Sequence, residues 1–316
     1  MGVTRIQTVR PWLAQLGLFF ALSRTPHGLM DLATPVLTAI LWYGGFPPAR
    51  ILLLGIFTAF AGYTSVYALN DLVDYRTDRE RFLKQLASPG VCDIDSIFVR
   101  HPIACGRLSP VKAVIWASLW GIAAIIGAFI LNPLCIVIFL AACSLEALYC
   151  LAWQTSCLKV FVSGAVKTAG PVAAIYAVDP NPSPYFVILV FFWLFFWEVG
   201  GQNIPNDWAD IDEDRKMEAS TFPVRFGEAL SAGIVLLCLY LTLCLGAVTI
   251  TYSRIPQSFA STVLSVAAAL YFLIMPALEL KMTKERAAAL ALFNRASYYP
   301  AAMLGIMVAA CLLPGS

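Results

Sequence analysis

Two short stretches of the sequence carry the same arrangement of acidic residues. Residues 70–78 read NDLVDYRTD and residues 206–214 read NDWADIDED, and in both the first Asp is followed by others three and seven positions later. These spacings place three carboxylates on one face of a helix. Like charges repel, so each group requires cations, and hard oxygen ligands favour Mg²⁺ or Ca²⁺. The two groups are Asp71, Asp74 and Asp78, and Asp207, Asp210 and Asp214.

The rest of the chain is strongly apolar. It has 316 residues, of which 60% are hydrophobic and 13% are charged, whereas about a quarter of the residues of a soluble domain are charged. With a mean hydropathy of +0.78, too few charges remain to cover a soluble surface. We therefore predict an integral, multi-pass membrane protein that contacts membrane lipids. The net charge of only +2 does not indicate a basic surface for nucleic acid, so no nucleic-acid partner is expected.

Nine apolar segments are close to the roughly 20 residues that cross a bilayer as a helix. Their length favours an all-α protein with nine transmembrane helices over a β-barrel, whose strands are shorter. We expect the first segment to be broken near Pro35, and small residues in GIAAIIGA (121–128) to allow close helix packing. No signal peptide cleavage site is evident. The segments are approximately 12–42, 50–70, 112–131, 134–153, 160–178, 184–206, 228–250, 258–280 and 296–314.

Lysine and arginine residues are distributed unevenly between the two sets of loops. Seventeen precede the first segment or follow the second, fourth, sixth and eighth, whereas only Arg50 and Arg254 lie in the opposite loops. By the positive-inside rule, the N-terminus and the loops with the acid motifs are cytoplasmic, and the C-terminus is outside. Both motifs then lie at the cytoplasmic ends of their helices.

Two acidic groups at one membrane surface suggest a clamp for a diphosphate. Mg²⁺ keeps several waters and is usually bound by a few carboxylates together with substrate phosphate oxygens. One acid cluster at a helix end is often merely solvated. The recurrence of the same Asn and the same Asp spacing on the same side favours a shared function for both motifs.

The chain resembles the UbiA superfamily of intramembrane prenyltransferases. The resemblance lies in the two acid motifs, in GRLS (106–109), in Tyr149 followed by Lys159, and in STFPVRFG (220–227). It implies a single domain over 1–316, nine helices around a central cavity, and cytoplasmic cap loops at about 71–111 and 207–227. It also implies that Mg²⁺ holds an isoprenyl diphosphate between the motifs, and that the prenyl group is transferred to a lipid-soluble acceptor.

The resemblance also assigns roles to individual residues. The six aspartates would be catalytic and would bind metal, and Asn70 and Asn206 would contribute to the same site. Further substrate-binding candidates lie near the motifs or interrupt apolar segments: Lys159, Arg215, Lys216, Arg24, His27, Tyr149, Gln202 and Asn203. Asp31 is expected to pair with Arg24 or His27, Glu146 and Glu198 to line the cavity, and Asp212 and Glu213 to be solvated.

An allylic cation formed from the donor requires a dry, electron-rich pocket. The aromatic candidates for lining it are Tyr63, Tyr67, Tyr149, Trp153, Trp193 and Trp197. The sequence departs from the family after the first motif, where His101 replaces an expected Arg and Arg100 is a possible substitute. Residues 79–100 are an insertion, and residues 79–89 are predicted to form an amphipathic helix that covers the cavity as a lid.

Three other functions remain open. A terpene cyclase and a phosphoribosyl-type transferase acting on a polyprenyl phosphate would use the same two motifs. A transporter is less favoured, because transporters place their ion sites near the bilayer midplane. The nine cysteines form no CxxC pair, and we expect them to be reduced and buried rather than to form disulfides or a zinc site.

Overall fold

The computed structural model describes residues 11–83, 98–152, 155–256 and 258–313. Within these ranges the regular structure is helical and contains no strand, as predicted. Eight helical segments are long and apolar enough to cross a membrane. They are α4 (Ala49–Val73), α6 (Pro110–Leu131), α7 (Pro133–Ala152), α8 (Lys159–Val178), α9 with α10 (Pro184–Trp197 and Ile204–Ala209), α12 (Phe222–Thr251), α13 with α14 (Phe259–Ala269 and Met275–Thr283) and α15 (Arg286–Leu312).

The first apolar segment is a broken helix. It consists of α1 (Pro11–Leu22), α2 (Thr25–Asp31) and α3 (Ala33–Tyr43). One break falls at Leu32, because Pro35 has no amide hydrogen and suits the first turn of α3. The other falls at Arg24, whose backbone is left-handed at φ 42°. Together with the eight long segments, the described ranges thus contain nine apolar helical units, in agreement with the sequence.

The bundle has a solid half and a hollow half. Large side chains of α9, α12 and α15, among them Trp193, Leu239 and Tyr299, form the main buried core. In the other half, α4 packs along α6 and α7 packs along α8, and α3 lies against α8. These helices surround a cavity, and much of its lining comes from the faces of α3, α4, α6, α7 and α8 that have no core to pack against.

Glycines bring α4 and α6 close together. A Cβ atom on Gly127 would lie 2.1 Å from Thr58 Oγ1, and one on Gly121 would lie 3.0 Å from Ser65 Oγ. Ser65 also donates a hydrogen bond of 3.0 Å to the carbonyl of Ala117. The small residues of 121–128 therefore allow the close helix contact that the sequence predicted.

We expect Gly127→Ala to lower the thermal stability of the purified protein, because the new methyl group would have to displace Thr58. Overpacking of this kind typically costs about 1–3 kcal/mol. Gly233→Ala in α12 is the matched control, since a Cβ atom there meets nothing within 4 Å. Equal melting temperatures for the two variants would show that the α4–α6 contact does not limit stability.

Candidate active site

A cavity of about 370 Å³ runs along the bundle. At one end it is lined by both acid motifs, and this end is called the mouth below. At the other end it reaches Ile51, Leu131 and Val178, which lie at the opposite ends of α4, α6 and α8. The lining changes from charged to apolar along this path, which suits a molecule with a charged head and a hydrocarbon tail.

All six aspartates of the two motifs line the mouth. Neither motif is one continuous helix, however, contrary to the expectation from spacing. The chain leaves α4 at Asp74 before α5 (Tyr75–Leu83), and it leaves α10 at Asp210 before α11 (Ile211–Lys216). The three aspartates of each motif nevertheless line the cavity on both sides of the break.

His101 lies between two carboxylates of the first motif. Its Nδ1 atom is 2.8 Å from Asp71 Oδ1 and 2.8 Å from Asp78 Oδ2. Burial by itself lowers the pKa of His101, but the hydrogen bonds and charges of these aspartates outweigh it and raise the pKa to about 9. The imidazolium thus supplies positive charge where the resemblance predicts an Arg. His101 can bind a metal ion only in its neutral form, and in that form the same three side chains are close enough together to hold one.

Two cations pair with the second motif. The Lys159 ammonium lies 2.8 Å from Asp207 Oδ1 and is almost fully buried, and Arg81 of α5 lies 2.8 Å from Asp214 Oδ1. Arg81 therefore connects the segment after the first motif to the second motif. Burial and the charge of Asp207 nevertheless raise the pKa of Asp214 to about 7, so the mouth still holds more negative charge than it can readily stabilise.

Asn70 and Arg24 extend the site from the first motif towards α2. Arg24 donates a hydrogen bond of 3.3 Å to Asn70 Oδ1, and Asn70 donates one of 2.7 Å to Glu146 Oε1. Burial and the charge of Asp78 raise the pKa of Asp74 to about 6. Asn206 lines the mouth beside the second motif. These placements agree with the roles that the sequence suggested, which remain predictions.

The donor atoms at the mouth fit a hard divalent cation. Among the described residues, Asp71 Oδ2 and Asp207 Oδ2 are buried carboxylate oxygens without a hydrogen-bond partner. An unsatisfied buried charged oxygen is costly, and a cation bound by both motifs would satisfy such oxygens. The fit rests on carboxylate oxygens contributed by both sides of the mouth.

Four other predicted substrate-binding residues line the cavity below the mouth. Asn203 donates a hydrogen bond of 3.3 Å to the hydroxyl of Tyr149, and the Tyr149 ring lies 5.2 Å from Lys159 Nζ. Gln202 is held by α15, where Ser297 donates to its Oε1 atom over 3.1 Å. His27 lies beside Asp31, at 3.9 Å. All four side chains belong to the lining.

Three residues near the second motif lie in other surroundings than the sequence analysis expected. Arg215 and Lys216 lie on the exposed side of α11 and do not line the cavity; Arg215 is 52% exposed and lies 3.7 Å from Asp212. Glu213 is buried rather than solvated, because Arg286 at the start of α15 reaches it at 3.1 Å. Asp212 is exposed as expected and also contacts Arg286.

The aromatic candidates divide between the cavity and the core. Tyr63, Tyr67 and Tyr149 line the cavity. Trp193 and Trp197 do not line the cavity. They are buried in the solid half, where they donate hydrogen bonds to Tyr299 and to the carbonyl of Ala296. Trp153 lies outside the described residues. Most of the predicted lid does too: residues 79–83 belong to α5 and are helical, whereas 84–97 are not described.

The sequence analysis did not identify Lys167 and Arg81 as site residues. Lys167 lies in the middle of α8 and contacts Asp31 Oδ2 at 2.6 Å, so the partner of Asp31 is chiefly Lys167, with His27 farther away. A lysine inside an apolar segment is itself a signal of function. Arg81 gave no such signal, because it belongs to a charged run outside the apolar segments, in α5, which the fold brings to the second motif.

A sequence model of the UbiA prenyltransferase family matches residues 32–298. The chain belongs to the UbiA prenyltransferase family. It is therefore an integral membrane prenyltransferase, and the matched range includes both acid motifs. No protein of curated function matches the sequence significantly.

Solved structures of UbiA proteins share the fold. A UbiA homolog from Archaeoglobus fulgidus bound to DMAPP and Mg²⁺ is 17% identical, with a TM-score of 0.67, and the match covers 93% of this chain and 99% of that one. A UbiA homolog from Aeropyrum pernix K1 is 18% identical, with a TM-score of 0.68, and the match covers 91% of this chain and 98% of that one. A digeranylgeranylglyceryl phosphate synthase is 15% identical, with a TM-score of 0.68, and the match covers 95% of this chain and 99% of that one.

We expect Mg²⁺ to raise the melting temperature of the wild-type protein relative to EDTA, because a ligand that binds only the folded state stabilises it. The gain is about 2.7 kcal/mol at 100 times the dissociation constant. Asp71→Asn should lose most of this increase. Asp212→Asn, the same change at an exposed position outside the cavity, should keep it. A full Mg²⁺ response in Asp71→Asn would contradict a metal site at the first motif.

Proposed function

We propose that this UbiA protein transfers an isoprenyl group from an isoprenyl diphosphate to a lipid-soluble acceptor, with Mg²⁺ as cofactor. One observation carries the proposal. Two groups of three aspartates, with buried carboxylate oxygens left without partners, lie at the mouth of a cavity that becomes apolar along its length. A diphosphate head with divalent cations suits the mouth, and a prenyl tail suits the apolar part.

The side chains at the mouth would bind the donor and stabilise its leaving group. The six aspartates would hold the cations, with Asn70 and Asn206 as neighbouring oxygen donors. When bound, Mg²⁺ supplies positive charge to the diphosphate oxygens as the C–O bond breaks. Lys159, Arg81 and His101 lie within the same site and would stabilise the same developing charge. Arg24 supports this site through Asn70.

The part of the cavity below the mouth would protect the allylic cation. Tyr63, Tyr67 and Tyr149 line it, and aromatic rings attract cations. Water must be excluded there, because it would convert the cation to a free alcohol. The rings and the apolar walls together favour transfer over hydrolysis.

We expect Asp71→Asn and Asp210→Asn each to reduce Mg²⁺-dependent diphosphate release from geranylgeranyl or farnesyl diphosphate more than 100-fold, because both motifs would neutralise the leaving group. Asp212→Asn serves as the control and should remain within about threefold of wild type. Activity of either motif variant close to wild type at saturating Mg²⁺ would argue against a shared clamp.

The same assay separates the alternative functions. Product that contains both the prenyl group and a molecule from an added lipid extract indicates transfer. A cyclised hydrocarbon formed without the extract indicates a terpene cyclase. If wild-type protein releases no diphosphate from any isoprenyl donor, prenyl transfer is wrong, and a phosphoribosyl-type transferase or a transporter becomes the better proposal.

The single-domain organisation over 1–316 and the orientation in the membrane are also proposals. The loop charges support a cytoplasmic N-terminus and cytoplasmic acid motifs, with the C-terminus outside. In a background with Cys92 and Cys105 replaced by Ser, we expect Thr77→Cys to react with a membrane-impermeant thiol reagent only from the cytoplasmic side. Ser253→Cys should react only from the outside. The reverse pattern would invert the topology and move the mouth to the other surface.

A further inference from the structure

A second group of polar residues lies below the mouth, between helices that cross the membrane. It comprises Asp31, Tyr67, Ser163, Lys167 and Glu198 and is called the deep polar cluster below. Lys167 Nζ lies 2.6 Å from Asp31 Oδ2 and donates a hydrogen bond of 3.1 Å to Tyr67, whose hydroxyl donates to Asp31. Ser163 donates a hydrogen bond of 2.9 Å to Glu198 Oε1.

The deep polar cluster separates the mouth from the apolar part of the cavity. Lys167 is eight residues after Lys159 in α8, which places it about 12 Å further along the helix. Tyr67 is one turn before Asp71 in α4. Beyond the cluster the lining is apolar, with Gly55, Ala128 and Ala173 among its residues. A donor with its diphosphate at the mouth and its tail in the apolar part would pass beside this cluster.

Glu198 differs from the other charged members of the cluster because half of its carboxylate is unsatisfied. Asp31 and Lys167 neutralise each other and share Tyr67. Glu198 is 7% exposed, and its Oε2 atom has no hydrogen-bond partner among the described residues. A buried carboxylate oxygen without a partner costs several kcal/mol in a membrane protein. Such an oxygen is therefore poised to accept a hydrogen bond from a ligand in the cavity.

The backbone around Glu198 holds it on the cavity side. Residues Glu198–Asn203 form a π-helical turn between α9 and α10, a feature that often occurs at functional sites. The opposite face of this turn is made of glycines. A Cβ atom on Gly200 would lie 2.6 Å from Cys238 Cβ, and one on Gly201 would lie 3.0 Å from Ala296 Cβ. Close packing against α12 and α15 on that face leaves Glu198 and Asn203 in the cavity lining.

We propose that Glu198 is the catalytic base of the reaction and that the acceptor is a hydroxyl compound, an alcohol or a phenol, an inference that rests on the proposed prenyl transfer. The acceptor hydroxyl donates a hydrogen bond to Glu198 Oε2. As C1 of the donor separates from diphosphate, the C–O bonding pair leaves with the diphosphate. The acceptor oxygen forms the new bond to C1 with a lone pair, and its proton passes to Glu198.

The charges around Glu198 explain the choice of a hydroxyl. A carboxylate that takes up a proton must be ionised before the step, and its Oε2 atom then accepts a hydrogen bond from a donor on the ligand. An acceptor with its own carboxylate would be repelled by Glu198. An ammonium group would have no lone pair for the attack. A neutral hydroxyl meets neither obstacle and can enter from the lipid phase.

The first test compares transfer with hydrolysis in Glu198→Gln, which keeps the shape of the side chain and removes its basicity. The full-length protein is incubated with labelled geranylgeranyl diphosphate, Mg²⁺ and a total membrane lipid extract, and adduct, free prenol and diphosphate are measured together. We expect adduct formation to fall about 100-fold or more, whereas diphosphate release through hydrolysis stays within about threefold. Ser163→Ala, which removes the hydrogen bond to Oε1, should reduce adduct formation less.

The control for this test is Glu279→Gln, the same change at an exposed position in α14. It should leave the ratio of adduct to prenol unchanged. Donor affinity and melting temperature of Glu198→Gln are measured in parallel, so that misfolding is distinguished from loss of the base. An unchanged ratio of adduct to prenol in Glu198→Gln would overturn the role of Glu198. A parallel loss of adduct and diphosphate release would overturn it as well, because Glu198 would then act on donor ionisation.

The second test addresses the acceptor class with wild-type protein. The lipid extract is acetylated, which blocks hydroxyl and amino groups, or reductively methylated, which modifies amino groups only. We expect adduct from the methylated extract and none from the acetylated one. Adduct from the acetylated extract, or diphosphate release with no adduct from the intact extract, would overturn the hydroxyl acceptor. If wild-type protein releases no diphosphate at all, the proposed prenyl transfer itself fails.

Discussion

The crowding of six carboxylates at one end of a membrane helix bundle is the constraint on which the rest of the structure depends. Like charges repel more strongly where water is scarce, so the fold must bring cations to them. Lys159 from α8, Arg81 from α5 and His101 from the following loop each contact one or two of these aspartates. The neutralisation is incomplete, since carboxylate oxygens on both sides of the mouth remain without partners. In the proposed function, a cation-bound diphosphate would complete it.

The division of the bundle into a solid and a hollow half provides the rest of the active site. Aromatic and aliphatic side chains of α9, α12 and α15 fill the solid half, which gives the second motif a rigid support. Small residues between α4 and α6 hold the hollow half together without filling it. The π-helical turn at Glu198–Asn203 lies where the two halves meet, with its glycines against the core and its polar side chains in the cavity. Rigid walls and an apolar interior are what a reactive cation requires.

Most charged groups of the deep polar cluster are also paired with an opposite charge. Asp31 and Lys167 form a close pair with Tyr67, which reduces the cost of placing either group at this depth. Among the described residues, only Ser163 donates a hydrogen bond to Glu198. A chain under selection for stability alone would replace Glu198 by an apolar residue. Its presence beside the proposed path of the donor fits the proposed proton transfer.

The sequence by itself determined the membrane class, the positions of the nine apolar helical units, the close contact at 121–128 and the two acid motifs, because each depends on composition or local spacing. Only the tertiary structure decided which charges meet. Arg215 and Lys216 follow the second motif directly and yet face away from the cavity. Arg81 contacts Asp214, 133 residues later in the chain, and His101 contacts Asp71, 30 residues earlier; both side chains complete the mouth. Glu213 and Lys167 found partners on other helices. The physical reason is that helical spacing fixes the direction of a side chain only within one helix. Bends at Asp74 and Asp210 and the packing of separate helices decide what that side chain contacts.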